Sequence, residues 1–328
     1  MAQNSSRMAT RSAAPLALAA LSAAFFVGWG PTAPEQVSAS FASGSMISRP
    51  AGEHASVPAD TSVVLMGAGD VCVTQNIGGA GATANLIAEE PAAHVFTLGD
   101  NSNEEGTAAQ YADCYGPTWG QFLWRTSAAA GNHDYIADGA ASYFAYFGSA
   151  AGPPGEGYYS YDLGSWHIIV LNSECPMVGG CGHGSVQEQW LVADLEAHRS
   201  VCTLAYWHHP RFSSGAPGQA SDPAYQAFWD VLYAYRADVV LNGHAHDYER
   251  FAPQTPSGQV SPTGIREFVV GTGGAGQIAL GAVEPNSEVR HTGTLGVMRL
   301  TLRATSYDWR FLPVAGETFT DAGTGACQ

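Results

Sequence analysis

Five short polar clusters interrupt the apolar runs of this chain and hold most of its chemically versatile side chains. They are Gly69-Asp70, Gly99-Asp100-Asn101, Gly131-Asn132-His133-Asp134, His208-His209-Pro210 and Gly243-His244-Ala245-His246. Carboxylate, carboxamide and imidazole together make a mixed hard and borderline donor set, which favours Zn, Mn or Fe over calcium. Asp70, Asp100, Asn132, His208, His244 and His246 are too many donors for one tetrahedral ion. They suit two ions that share a carboxylate, a pair that lies roughly 3.5 to 4 Å apart in two-metal sites. In His244-Ala245-His246 the two rings are at i and i+2, so they share a face in extended chain and oppose one another on a helix. A strand end or loop is therefore needed to aim both at one place.

The elements around these clusters supply such ends. Short apolar runs that read as buried strands cover Ser62 to Met66, His94 to Leu98, Trp166 to Leu171, Val201 to Trp207 and Asp238 to Leu241. Helix-compatible stretches lie between them, at Ala82 to Glu89, Ser185 to Ala197 and Ala224 to Tyr235, and Ser185 with Glu188 has the spacing of a capping box. Strand and helix alternate as in an α/β layered fold, and nearly all the candidate donors follow strand C-termini, where open α/β sheets build their sites. The last third changes character: Glu267 to Val270, Gly296 to Leu302 and Ser306 to Phe311 read as antiparallel strands joined by tight turns.

Composition excludes whole classes of function. All 13 basic residues among 328 are arginine, against 29 acidic ones, for a net charge of −16. With no lysine there is no Walker A loop, kinase strand lysine or Schiff-base chemistry. The acidic balance argues against nucleic acid as a partner, because a polyphosphate backbone is bound mainly by neutralising it. An anionic substrate needs local positive charge, which bound metal supplies.

Residues 1–39 read as a signal peptide: Arg7 and Arg11 precede an apolar stretch from Ala13 to Val27, and Val37-Ser38-Ala39 fits the cleavage rule. Residues 40–60 read as a flexible linker and 61–328 as one folded domain. The expected location is secreted or extracytoplasmic, with no stable membrane association after cleavage. Six cysteines, an even set, suit an oxidising compartment. Cys175 and Cys181 bracket a loop that a disulfide could close, Cys202 and Cys327 could tie the tail to a strand, and Cys72 suits a bridge, with Cys114 as a partner; connectivity is otherwise open.

The five clusters, extended through Asp247-Tyr248-Glu249-Arg250, resemble the motifs of the calcineurin-like metallophosphoesterases, specifically the purple acid phosphatase-like branch, and occur in that family's order. The resemblance implies a four-layer α/β/β/α sandwich of two mixed sheets, with a dinuclear metal site at strand C-terminal ends. It implies that Asp70, Asp100 and His246 hold one ion, that Asp100 bridges, and that Asn132, His208 and His244 hold the second. It also implies catalysis on a small phosphorylated substrate, a phosphate monoester before a diester, by a metal-bridging hydroxide, with His133 beside the leaving oxygen. The cofactors are then two transition-metal ions per chain, Fe, Zn or Mn. His209, Asp134 and Arg211 are candidates for supporting or substrate-contacting roles, with Asp134 a possible orienter of His133.

Two departures stand out. Purple members carry a tyrosine three residues after the bridging aspartate, where this chain has Asn103. They also tend to have a further histidine shortly after the His208 motif, where Ser213 to Gly218 contains none. These departures motivate a rival reading, a secreted metal-binding or interaction protein with weak turnover. Gly271 to Gly276 matches a dinucleotide fingerprint but precedes no clear helix, and a tight turn explains it better.

Overall fold

The computed structural model of the protein describes residues 62–328. The expected signal peptide and linker lie outside the described residues.

Among the described residues, thirteen strands form two mixed sheets. The first contains β1 (Val63–Ala68), β2 (His94–Leu98), β3 (Thr126–Ala129), β11 (Gly296–Leu302), β12 (Ser306–Pro313) and β13 (Ala322–Ala326), in the order β13-β12-β11-β1-β2-β3. The second contains β4 (Tyr159–Leu163), β5 (Trp166–Val170), β6 (Cys202–Trp207), β7 (Val239–Asn242), β8 (Tyr248–Phe251), β9 (Arg266–Val270) and β10 (Ser287–His291), in the order β10-β8-β9-β7-β6-β5-β4. β1, β2 and β3 run parallel, as do β5, β6, β7 and β9, so their C-terminal ends share one edge of each sheet.

Strand periodicity explains the layering. Along β6, Cys202, Leu204 and Tyr206 face the core between the sheets, while Ala205 and Trp207 face the helices. β5 and β7 alternate in the same way, which is why these strands read as continuous apolar runs: both faces are covered. Phe96 against Tyr206 and Phe268 against Trp309 close the gap between the sheets, with ring centroids 5.8 and 5.5 Å apart. On the outside, α1 (Ile77–Ala88) packs on β11, and α2 (Val186–Ala197) pairs with α3 (Gln226–Ala234) over the second sheet. The α/β/β/α order expected of the sequence is the order found.

The three cysteine pairings are Cys72–Cys114, Cys175–Cys181 and Cys202–Cys327, and no described cysteine is free. Elsewhere the structure corrects the sequence reading. Residues Glu267 to Val270 do not join the C-terminal antiparallel strands; β9 enters the second sheet, parallel to β7 and antiparallel to β8. The helix expected from Ala82 starts at Ile77, because Gly79 packs so closely under Gly274 that a Cβ would come within 2.5 Å of its carbonyl oxygen. Tertiary packing there overrides the poor helix propensity of glycine. Only half of the expected capping box forms: the Ser185 hydroxyl accepts from the Glu188 N–H, but the Glu188 carboxylate takes the N–H of Gly184 instead of Ser185.

Candidate metal centre

The two sheets contribute different chemistry to their common edge. Asp70 follows β1, Asp100 follows β2 and Asn132 follows β3, all in the first sheet. His208 follows β6, and His244 and His246 follow β7, both in the second. Beyond the strands the first two loops stay paired: the Asp70 N–H donates to the Gly99 carbonyl and the Val71 N–H to that of Asp100, each at 3.0 Å. Six described non-glycine residues have positive φ, and three are Asp70 (60°), Asp100 (50°) and His244 (67°). Each such residue costs of order 1 to 3 kcal/mol, and such strain gathers at functional sites. The glycine-rich segment after β9 is a close-approach turn: the Gly273 and Ala275 N–H groups donate to the carbonyls of Gly69 and Asp70. A Cβ at Gly273 would meet the Gly69 oxygen at 2.5 Å.

All six candidate donors come together. His208 Nε2 lies 3.3 Å from Asp100 Oδ2, 3.1 Å from Asn132 Oδ1 and 3.2 Å from His244 Nδ1. His246 Nε2 lies 3.2 Å from Asp70 Oδ1. The remaining ring nitrogen of each histidine faces a backbone carbonyl: His208 Nδ1 at Leu98 (2.7 Å), His244 Nε2 at Gly218 (2.9 Å) and His246 Nδ1 at Gly276 (2.6 Å). A carbonyl only accepts, so it fixes the ring proton on its own side and leaves a lone pair on the inward nitrogen. The inward nitrogens of His208 and His244 therefore meet beside two acceptor oxygens, an arrangement that requires a cation there, whether a proton or a metal ion. Outer hydrogen bonds of this kind orient metal-binding histidines. The donors therefore fit transition-metal ions.

Electrostatics point the same way. Burial pushes the His208 and His246 imidazoles down, yet Asp100 and Asp70 hold them up, to about 10 and about 9. Asp100 is buried, which raises a carboxyl, but His208 and His133 outweigh this and hold it well below the ordinary range. The site is a concentrated negative field.

His133 stands at its open side. Its Nδ1 meets the Glu104 carbonyl at 2.5 Å, its Nε2 lies 3.8 Å from Asp100 Oδ2, and its side chain is 33% exposed. Asp134 does not orient it. The Asp134 carboxylate is fully buried and accepts from the N–H groups of Asn101, Ser102 and Gly131, from the Asn101 amide, and from the Tyr111 hydroxyl at 2.5 Å. It staples the loops after β2 and β3. Burial and the nearby Asp100 raise it to about 6. His209 packs 4.1 Å from the His244 ring, with Nδ1 2.9 Å from the Ser173 hydroxyl, and burial beside His208 and His244 lowers it to about 2. Arg211 is taken by Gln226 at 2.9 Å and by the ring of Phe212, not by the cluster. Arg250 pairs with Asp321 and Glu288, a structural role.

The sequence reading missed the Glu104 carbonyl behind His133 and the Leu98, Gly218 and Gly276 carbonyls behind the histidines, because a backbone acceptor leaves no side-chain signature. Asn172-Ser173-Glu174 was findable: it follows β5, as the other clusters follow their strands. Asn172 bonds the Tyr135 hydroxyl at 2.7 Å, and Glu174 Oε1 lies 3.4 Å from His209 Nδ1.

The fold is of the two-sheet α/β type, with metal-type donors gathered where its parallel strands end. The calcineurin-like phosphoesterase family matches residues 65–248, and the chain belongs to that family. Purple acid phosphatase 15 of Arabidopsis thaliana is 29% identical over 48% of this chain and 32% of its own length. Purple acid phosphatase 21 of the same plant is 29% identical over 50% and 41%. The chain thus spans about a third to two fifths of these relatives. Among solved structures, a purple acid phosphatase from yellow lupin (Lupinus luteus) seeds superposes with a TM-score of 0.67 at 17% identity, covering 81% of this chain and 54% of that one. GAP50, the anchor in the inner membrane complex of Plasmodium, has a TM-score of 0.62 at 13% identity, covering 81% and 89%. These two likenesses are of fold alone.

Proposed function

We propose that this protein is a secreted metal-dependent phosphatase that hydrolyses phosphate monoesters. Asp70, Asp100 and His246 would hold one ion and Asn132, His208 and His244 the other, with Asp100 serving both. The observation that carries this reading is the convergence of the inward ring nitrogens of His208 and His244, 3.2 Å apart, on Asp100 Oδ2 and Asn132 Oδ1. Two such ions, when bound, activate water and offset phosphoryl charge.

The chain's own residues do the rest. Asp100 Oδ1 accepts the His133 N–H at 2.9 Å, which fixes the backbone of that histidine against the cluster. The Glu104 carbonyl accepts from Nδ1 and so holds the ring, which leaves Nε2 as the nitrogen on the open side where a proton for the leaving group would sit. From there it reaches a leaving oxygen. With no lysine in the chain and Arg211 engaged by Gln226, phosphate charge is left to the ions and the histidines. Residues 1–39 as a removed signal peptide, 40–60 as a linker and 61–328 as the catalytic domain complete the proposal, supported by cysteines that are all in bridges. Among the described residues no helix is long and apolar enough to cross a membrane.

The test is hydrolysis of an aryl phosphate monoester and an aryl diester, with and without added Mn, Zn or Fe. Metal-dependent monoester turnover is expected. Faster diester turnover makes the protein a phosphodiesterase on the same scaffold. No turnover with any metal favours the interaction-protein reading, for which Asn103 and the shared fold of GAP50 speak.

A further inference from the structure

We propose that Asn103 is a further donor of the metal centre, its carboxamide oxygen serving the ion assigned to Asp70, Asp100 and His246. The inference rests on the metal-centre reading and adds a residue to it. Asn103 Nδ2 lies 3.2 Å from Asp70 Oδ1 and 3.2 Å from Asp100 Oδ2. Those are the oxygens that face the histidines: Asp70 Oδ1 meets His246 Nε2, and Asp100 Oδ2 meets His208 Nε2. One small neutral group therefore touches the metal side of both carboxylates at once.

Its backbone cannot leave this place easily. The Asn103 N–H donates to the Cys72 carbonyl at 2.7 Å, Ser102 pairs with Cys72 as a parallel bridge, and Cys72 is tied to Cys114. Only the side-chain torsions are free to respond. The two ends of a carboxamide are nearly the same size and opposite in polarity, so a half turn exchanges donor for acceptor with almost no movement of heavy atoms. Between two carboxylate oxygens the NH₂ end is the better one. Beside a cation held by those same oxygens it is repelled, and the carbonyl end becomes a hard neutral ligand of the kind that suits divalent Mn or Zn. Asn103 adds a donor without adding charge, which favours a pair of divalent ions over a pair that includes a trivalent one.

Chelator-treated full-length protein titrated with Mn(II) in a calorimeter tests this. Wild type should take up two ions; uptake of none overturns the metal-centre reading itself. Asn103→Ala should weaken one ion by about 10- to 100-fold and leave the other near its wild-type affinity. Asn103→Asp keeps an oxygen at the same place and should bind that ion at least as tightly as wild type, which also serves if the alanine variant folds poorly. Two ions bound by Asn103→Ala with unchanged affinity, or weaker binding by Asn103→Asp, overturns the assignment of Asn103 while leaving the dinuclear site in place.

Discussion

The two halves of the candidate site are built on opposite plans. The first-sheet half is anionic and knitted into its own backbone: Asp70, Asp100 and Asn132 sit on loops that hydrogen-bond to one another, with the buried Asp134 beneath them and the Cys72–Cys114 bridge beside them. The second-sheet half consists of imidazoles aimed one at a time, each by a single carbonyl, two of them on the irregular loops at Gly218 and Gly276. A buried carboxylate among backbone donors is a stability device as much as a functional one. A histidine turned by one outer hydrogen bond is a device for orientation. Substitutions in the first half should therefore disturb fold and site together, and those in the second the site alone.

The largest contrast is between Asp100 and a histidine. Asp100→Ala should lower bound metal to well under one ion per chain and activity to background, because a shared ligand serves both ions. His246→Ala should cost one ion and recover part of its activity in excess metal. Elemental analysis beside turnover separates the two, and equal loss in both variants breaks the comparison. Next is His133, which belongs to the first half but holds no ion in this scheme. His133→Asn should keep both ions and lower turnover by about 10² to 10⁴. The loss should be smaller for a nitrophenyl phosphate than for an alkyl phosphate, since a nitrophenolate needs little protonation; loss of metal instead would make His133 a ligand.

Asp134→Ala should unfold the first half's staple. Leaving the N–H groups of Asn101, Ser102 and Gly131 without their shared acceptor should cost roughly 3 to 5 kcal/mol, read as a fall in denaturation midpoint. Tyr111→Phe, which removes one donor of the same network, should cost less. The smallest effect is a pH dependence in the second sheet, far from the donors. His167 on β5 is buried with Nδ1 2.9 Å from Asp162 and Nε2 2.8 Å from Asp194. Burial lowers this imidazole, but the two carboxylates outweigh it and the net shift is upward. Its contribution is thus fully present below the unfolded value of about 6.5 and is lost as pH rises through the higher folded value. Thermal unfolding of wild type should weaken across that window relative to His167→Gln, and parallel profiles would remove His167 from the account.

How much of this was legible depended on what wrote it. The five clusters, four of the five buried strands behind them and the three disulfides are written in side chains, and their order along the chain was enough to place all six candidate donors at one edge. Five strands were missed: β3 and β8 are only four residues long, and the other three lack an apolar period. β13 is Ala-Gly-Thr-Gly-Ala, and its pairing with β12 relies on glycines that let Tyr307 and Trp309 lie over it: a Cβ at Gly325 or Gly323 would strike those rings at 2.4 and 2.3 Å. β4 is an edge strand of partly buried tyrosines, and β10 an edge strand of mostly polar residues. The role of Asp134 was misread for a related reason: adjacency to His133 in sequence suggested contact, whereas the tight turn after Gly131 points the two side chains to different sides, one inward to the backbone amides and one to solvent.

The left-handed backbone at Asp70, Asp100 and His244 has a consequence for how this protein can be improved. The His244 side chain bonds His208 within the site and the Gly218 carbonyl of the loop that aims it. His244→Gly relieves a torsional penalty of about 1 kcal/mol and empties a ligand position in the same stroke. Selection for thermal tolerance alone would drift toward such variants and return sturdier, inert folds. Selecting for heat resistance and metal retention together is the way to keep that exchange from being made.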